Sequence, residues 1–158
     1  YWPSLLALTT GPHYWPSLLA LTTGQRTQTL NAFNTNNIFS YEKKLLISFT
    51  NVLKTTRPGF QTKVELCKYL QDTRLCPVEC LNTCTENFRT NGVVFLSFLK
   101  PHNPVSTRTL SRWISTMLRE CGINPAFSAH STRSAFLARS TGLLRPVQHP
   151  ILWTLVQY

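Results

Sequence analysis

Hydrophobic positions recur along this chain with two periods, one suited to helices and one to strands, and the changes between them mark out the elements. The run Leu18-Leu19-Ala20-Leu21, with Pro16 before it and Thr22-Thr23-Gly24 after it, predicts a short helix, since proline is tolerated in a first turn and glycine stands just past a last one. Residues 45–53 alternate well enough for a strand, Arg57-Pro58-Gly59 is a turn, and 64–70 predicts the returning strand of a hairpin. Cys76-Pro77 opens a helix running to about Asn87, and Asn91-Gly92 breaks the chain before the apolar run 93–99. A loop over 101–104 leads to a helix capped by Ser106 or Thr107, whose Leu110, Trp113, Ile114, Met117, Leu118 and Cys121 form one apolar stripe ended by Gly122. Arg108, Arg112 and Arg119 fall on its opposite side. A last helix is expected over 130–140, stopped near Gly142, with Ala135, Phe136, Leu137 and Ala138 as core. The predicted class is α+β, mainly helical, with a small antiparallel β-sheet.

Residues 1–11 are repeated without change as residues 14–24, with only Pro12 and His13 between them. Two identical copies are too few and too alike for a solenoid. The second copy is the one that continues into the folded part, which gives an expected division into a duplicated segment 1–13, a domain 14–142 and a divergent tail 143–158. A first residue that is tyrosine instead of methionine leads us to expect a fragment.

Length and composition agree with one globular domain: 158 residues, 42% hydrophobic, is enough apolar material for a core. Sixteen Lys and Arg against six Asp and Glu leave +10, spread from Arg26 to Arg145 instead of gathered in a tail. A field of that kind calls for a polyanionic partner, and nucleic acid fits best because backbone phosphates supply most sequence-independent affinity. No long apolar segment points to a membrane. The odd cysteine count, five, without a secretory leader argues against a disulfide scaffold and for a reducing intracellular compartment. Cys76, Cys80 and Cys84 share one helix face, a spacing unlike that of zinc sites, and are expected to be buried small apolar residues. Cys67 and Cys121 have no histidine near them in sequence, so no metal is expected; His13, His102 and His149 are assigned to loops.

Candidate chemistry centres on Phe127-Ser-Ala-His130-Ser-Thr-Arg133-Ser-Ala. A histidine and an arginine three apart at a helix start project to one side, so a proton carrier and a planar, permanently charged guanidinium can converge on one phosphodiester. Alone this is a weak motif. It gains weight from Leu-Leu-Ala-Leu-Thr-Thr-Gly24-Gln25-Arg26-Thr-Gln-Thr-Leu, Leu-Lys54-Thr-Thr-Arg57-Pro-Gly and Lys100-Pro-His-Asn-Pro-Val-Ser followed by Leu110-Ser-Arg-Trp-Ile. In this order the four pieces resemble the catalytic domain of tyrosine recombinases, of the type carried by eukaryotic transposable elements, over roughly residues 14–140.

The resemblance implies strand cleavage and rejoining without a metal or other cofactor, so protein side chains would have to stabilise the pentacoordinate phosphorus. It implies that Arg26 and Arg133 hold the nonbridging oxygens, that Lys54 protonates the departing 5′ oxygen, and that His130 assists proton transfer at the nucleophile. Lys63 lies close enough to Lys54 to compete for that assignment. A tyrosine near the carboxyl end would form a 3′-phosphotyrosyl link that a second DNA end reverses. Arg57, Arg108 and Arg112 are candidate DNA contacts, double-stranded DNA is the expected partner, a homo-oligomer on DNA the expected assembly, and the nucleus the expected location. After Ser140 the sequence departs from the family's pattern: Pro146 and Pro150 oppose continuous helices, and Trp153 and Tyr158, the residues left for the phosphate-binding and nucleophilic positions, are only five apart. Two alternatives therefore stay open, a DNA-binding remnant without a nucleophile and a basic interaction domain with no nucleic-acid role.

Overall fold

A helix that is apolar on every side has to be surrounded, and α1 (Tyr14–Thr23) is: Tyr14, Pro16, Ser17 and the run from Leu18 to Leu21 are all buried. The computed structural model describes residues 13–49, 63–87 and 92–140. Two compact units result, one made of Tyr1–Leu30 with Ser106–Tyr158 and the other of Asn31–Val105.

In the first unit α1 packs against α4 (Thr107–Glu120) and α5 (Ala129–Ser140), and a single turn, α2 (Thr27–Asn31), follows α1. The hydroxyls of α1 are satisfied locally: that of buried Ser17 donates to the His13 carbonyl at 2.6 Å, and those of half-buried Thr22 and Thr23 donate to the Leu18 and Leu19 carbonyls. Gly24 ends the helix at φ 59°, its N–H returning to the Ala20 carbonyl. Ser106 is the cap of α4, accepting the Thr109 N–H, and Leu110, Ile114, Met117 and Leu118 fill the buried stripe behind it. Trp113, expected in that stripe, is half-buried, with the His13 ring set edge-on to it at 6.0 Å. His13 lies in the turn just before α1, as expected of a loop residue, and its Nδ1 is buried with no hydrogen-bond partner among the described residues. Leu137, expected in the core, is 45% exposed, while Ala135, Phe136 and Ala138 are half-buried.

The second unit holds an antiparallel sheet in the order β1 (Ile38–Ser40), β2 (Lys44–Ser48), β3 (Lys63–Cys67), with α3 (Pro77–Asn87) against β3. The expected hairpin is β2 with β3, paired from Lys44 opposite Cys67 to Ser48 opposite Lys63, so Leu45 and Ile47 share a buried face with Val64 and Leu66. The strand expected over 64–70 ends at Cys67; the Lys68 N–H still donates to the Lys43 carbonyl at 2.9 Å, but Lys68 and Leu70 are exposed and lie past the strand. β1 escapes the sequence pattern because it has three residues and an exposed Phe39. The apolar run 93–99 is not a strand. Val94, Phe95 and Leu96 are buried, but its pairings among the described residues are isolated bridges, Asn34 with Val93 and Leu96 with Pro104, and Phe98 and Leu99 are exposed at the tip. Cys76 and Cys80 are buried as expected, the Cys76 sulfur accepting the Tyr69 N–H, and Cys67 is exposed. The side chain of Cys84 lies outside the described residues, as do residues 1–12, Gly142, His149 and the tail.

Candidate functional site

Charge is distributed unevenly between the two units. The segments 1–30 and 106–158 contain seven arginines, no lysine and one carboxylate, Glu120, for a net +6, whereas 31–105 has nine cationic residues and five acidic ones, for +4. Among the described residues the ion pairs are Lys44 with Glu65, Lys68 with Glu79 and Arg74 with Asp72, all in the second unit. The described arginines of the first unit thus have no carboxylate partner among the described residues, which leaves their positive field available to an external anion.

Three of the sequence candidates meet in that unit. Arg26, His130 and Arg133 line an open depression of about 400 Å³, together with Thr27, Gln28, Thr107, Ser111, Ser115, Ser128 and Ala129, and no carboxylate is among them. Each of the three side chains arrives by a different local device. Arg26 follows the Gly24 cap by two residues, and its carbonyl accepts the Leu30 N–H at 3.0 Å, starting α2 and leaving the exposed side chain above the turn. His130 sits in the first turn of α5, where the Ser128 hydroxyl accepts its N–H at 3.3 Å and the Ser131 hydroxyl accepts that of Ser128 at 3.1 Å. Arg133 lies one turn further on the same helix, half-buried, and donates through Nη1 to the Gly24 carbonyl at 2.9 Å. That bond occupies one of five guanidinium protons, and the rest of the fork faces a depression lined by hydroxyls.

The hydroxyl wall is not among the sequence candidates. Thr107, Ser111 and Ser115 repeat at four-residue spacing along α4, between the apolar stripe and the arginine side, and that spacing is the signal that could have found them. Arg108 and Arg112 are exposed on the adjoining strip, one residue round the helix from that wall. Arg119 is turned back on its own helix, donating to the Ser115 carbonyl and the Thr116 hydroxyl. Lys54, Arg57, Trp153 and Tyr158 lie outside the described residues; Lys63, the competitor of Lys54, is exposed at the start of β3 in the second unit. Among the described residues no group of three His, Cys, Asp or Glu side chains could hold a metal ion, and no helix is long and apolar enough to cross a membrane.

An arrangement of two guanidiniums and an imidazole around a hydroxyl-lined hollow is suited to an oxyanion with several oxygens, held bidentately by the arginines while the imidazole gives or takes a proton.

No protein-family model matches the sequence, and no curated protein matches it. Solved structures do match the fold. A lambda integrase dimer bound to a COC′ core site superposes with a TM-score of 0.55 at 18% identity, over 98% of this chain and 45% of that one. The lambda integrase catalytic core gives 0.55 at 19%, over 97% of this chain and 88% of that one. The XerH site-specific recombinase bound to difH substrate in a pre-cleavage complex gives 0.57 at 12%, over 90% and 41%. The chain thus spans less than half of the integrase and XerH chains in those DNA complexes and most of the isolated catalytic core. Five helices and a three-stranded antiparallel sheet among the described residues, together with the match to those structures, give this chain the fold of a tyrosine recombinase catalytic domain.

Proposed function

We propose that this chain is catalytic-domain material of a tyrosine recombinase, of the transposable-element type, which binds double-stranded DNA in the nucleus and serves DNA recombination and integration. The observation that carries this reading is the carboxylate-free depression lined by Arg26, His130 and Arg133, in a unit whose Lys and Arg residues are all arginines. A phosphodiester seated there has its nonbridging oxygens taken by Arg26 and Arg133, and the charge developing at phosphorus falls among fixed cations. The tyrosine hydroxyl attacks phosphorus and gives up its proton with help from His130; the bond to the 5′ oxygen breaks, and Lys54 protonates that oxygen as it leaves. Tyr158 is the candidate nucleophile, Trp153 the candidate phosphate-binding residue before it, and Arg57, Arg108 and Arg112 extend the contact along the backbone. The solved neighbours support a DNA partner and assembly on it: lambda integrase is seen as a dimer on a core site and as a tetramer on a Holliday junction.

A second reading, a DNA-binding remnant without cleavage, is favoured by one observation, the five-residue separation of Trp153 and Tyr158 after two prolines. One assay separates the two. Nicked duplex DNA is incubated with the full chain, and covalent protein-DNA species are sought on denaturing gels beside Tyr158→Phe, Arg26→Ala and Arg133→Ala. We expect salt-dependent duplex retention that both arginine variants weaken. An adduct abolished by Tyr158→Phe assigns the nucleophile; retention without an adduct gives the remnant. Absence of retention overturns the nucleic-acid reading.

A further inference from the structure

One face of α4 is hydrogen-bonded to both chain segments that bring Arg26 and His130 to the depression. The Ser111 hydroxyl donates to the Thr27 hydroxyl at 3.3 Å, and Thr27 directly follows Arg26. One turn along, the Ser115 hydroxyl accepts the Ala129 N–H, also at 3.3 Å, and Ala129 directly precedes His130. Both serines are half-buried and line the depression. Apolar packing of α1, α4 and α5 brings the helices together but discriminates weakly against small slides and rotations, since its energy depends on area more than direction. A hydrogen bond depends on the direction between donor and acceptor, including a long one such as these two. Two such bonds from points one helical turn apart therefore hold Thr27 and Ala129, and with them Arg26 and His130, in a set relation to each other.

We infer that Ser111 and Ser115 are positioning residues, Ser111 acting through Thr27 on Arg26 and Ser115 through Ala129 on His130, so that both side chains reach one phosphodiester. The ligand in that statement rests on the reading above; the positioning does not. Both hydrogen bonds are long for their kind, so their removal costs little stability, and their effect is on placement.

The test uses the full chain with Ser111→Ala and Ser115→Ala, each alone and combined with Arg26→Ala or His130→Ala. Affinity for a duplex oligonucleotide is measured, and the NMR signals of the Arg26 Nε–H and the His130 ring are recorded without DNA. Each serine variant weakens binding by about two- to tenfold, the scale of one hydrogen bond. Ser115→Ala has no further effect once His130 is alanine and keeps its effect when Arg26 is alanine; Ser111→Ala behaves in the reverse way. Without DNA, Ser111→Ala moves the Arg26 signal alone and Ser115→Ala the His130 signal alone, and Ser115→Thr, which retains a hydroxyl, restores the latter. Additive losses in every combination, or signals that respond equally to both serines, overturn the assignment. If the unaltered chain does not bind the duplex, the phosphate reading falls, and the two NMR signals alone decide the positioning.

Discussion

The Arg133 guanidinium is bonded to the carbonyl of Gly24 at 2.9 Å, across 109 positions of sequence. The glycine that closes α1 is therefore also the acceptor that orients an arginine of α5, and two residues beyond it the chain delivers Arg26 to the same depression. Its missing side chain matters as much as its carbonyl. A Cβ at Gly24 would stand 2.3 Å from Cδ1 of Phe136 and 2.6 Å from Cγ, on a backbone at φ 59°.

Gly24→Ala should accordingly destabilise the first unit by about 2–4 kcal/mol, from left-handed backbone strain together with overpacking against the Phe136 ring. Chemical denaturation measures it. Phe136→Ala in the same chain should recover the steric part and leave the backbone part, so the two losses combine to less than their sum.

Arg133→Lys keeps the charge and removes the fork. Lysine can donate to the Gly24 carbonyl or turn toward an anion, but it cannot present two parallel N–H groups to the anion while holding the carbonyl. We expect duplex affinity to fall by about tenfold or more, the scale of a charge-assisted hydrogen bond, with little change in the unfolding midpoint. Fluorescence anisotropy at fixed salt reads the first, and thermal melting the second.

Arg108 and Arg112, exposed beside the hydroxyl wall, should bind backbone phosphates. Replacing each by alanine should lower the slope of log affinity against log salt by about 0.9 for every phosphate it had neutralised, similarly for unrelated duplex sequences. Arg119→Ala should leave that slope unchanged, since Arg119 is bonded to its own helix.

The sulfurs offer a test that is independent of function. Burial raises the Cys121 thiol above the ordinary value near 9, with Glu120 adding to the effect. Both folded and unfolded forms keep the proton below that value, so the contribution is complete there; above it only the unfolded form ionises, and stability declines as pH rises toward the folded value. In mass-mapped alkylation at neutral pH, exposed Cys67 should react first, with Cys76, Cys80 and Cys121 protected until unfolding. At the acid end the sign reverses for Asp72, which the side chain of Arg74 lowers: its contribution is present above the usual carboxylate range and is lost as pH falls.

Ser106→Ala should cost about 1 kcal/mol, because the Thr109 N–H loses the hydroxyl that caps α4. Circular dichroism across a denaturant series is sufficient to see it.

Local chemistry is enough to place several elements. Pro16 and the Thr-Thr-Gly stop bound α1, Ser106 and the Leu110 to Cys121 stripe bound α4, and alternation around Ile47 and Val64 sets the hairpin register, because capping, helical period and strand pleat act between residues close in sequence. The pairing of His130 with Arg133 is legible for the same reason, being one helical turn. What the sequence could not show is what tertiary packing decides. Residues 93–99 have the apolar content of a strand but only isolated bridges among the described residues, and Leu137 looks like core but is exposed. Above all, that Gly24 accepts from Arg133, that Phe136 needs the space a Cβ would fill, and that Ser111 and Ser115 tie Thr27 and Ala129 to one helix face are relations between distant positions. Residue types suited to a phosphate are a property of the chain; their convergence on one hollow without a carboxylate exists only once α1, α4 and α5 pack, since hydrophobic burial brings those helices together and directional hydrogen bonds then select the alignment.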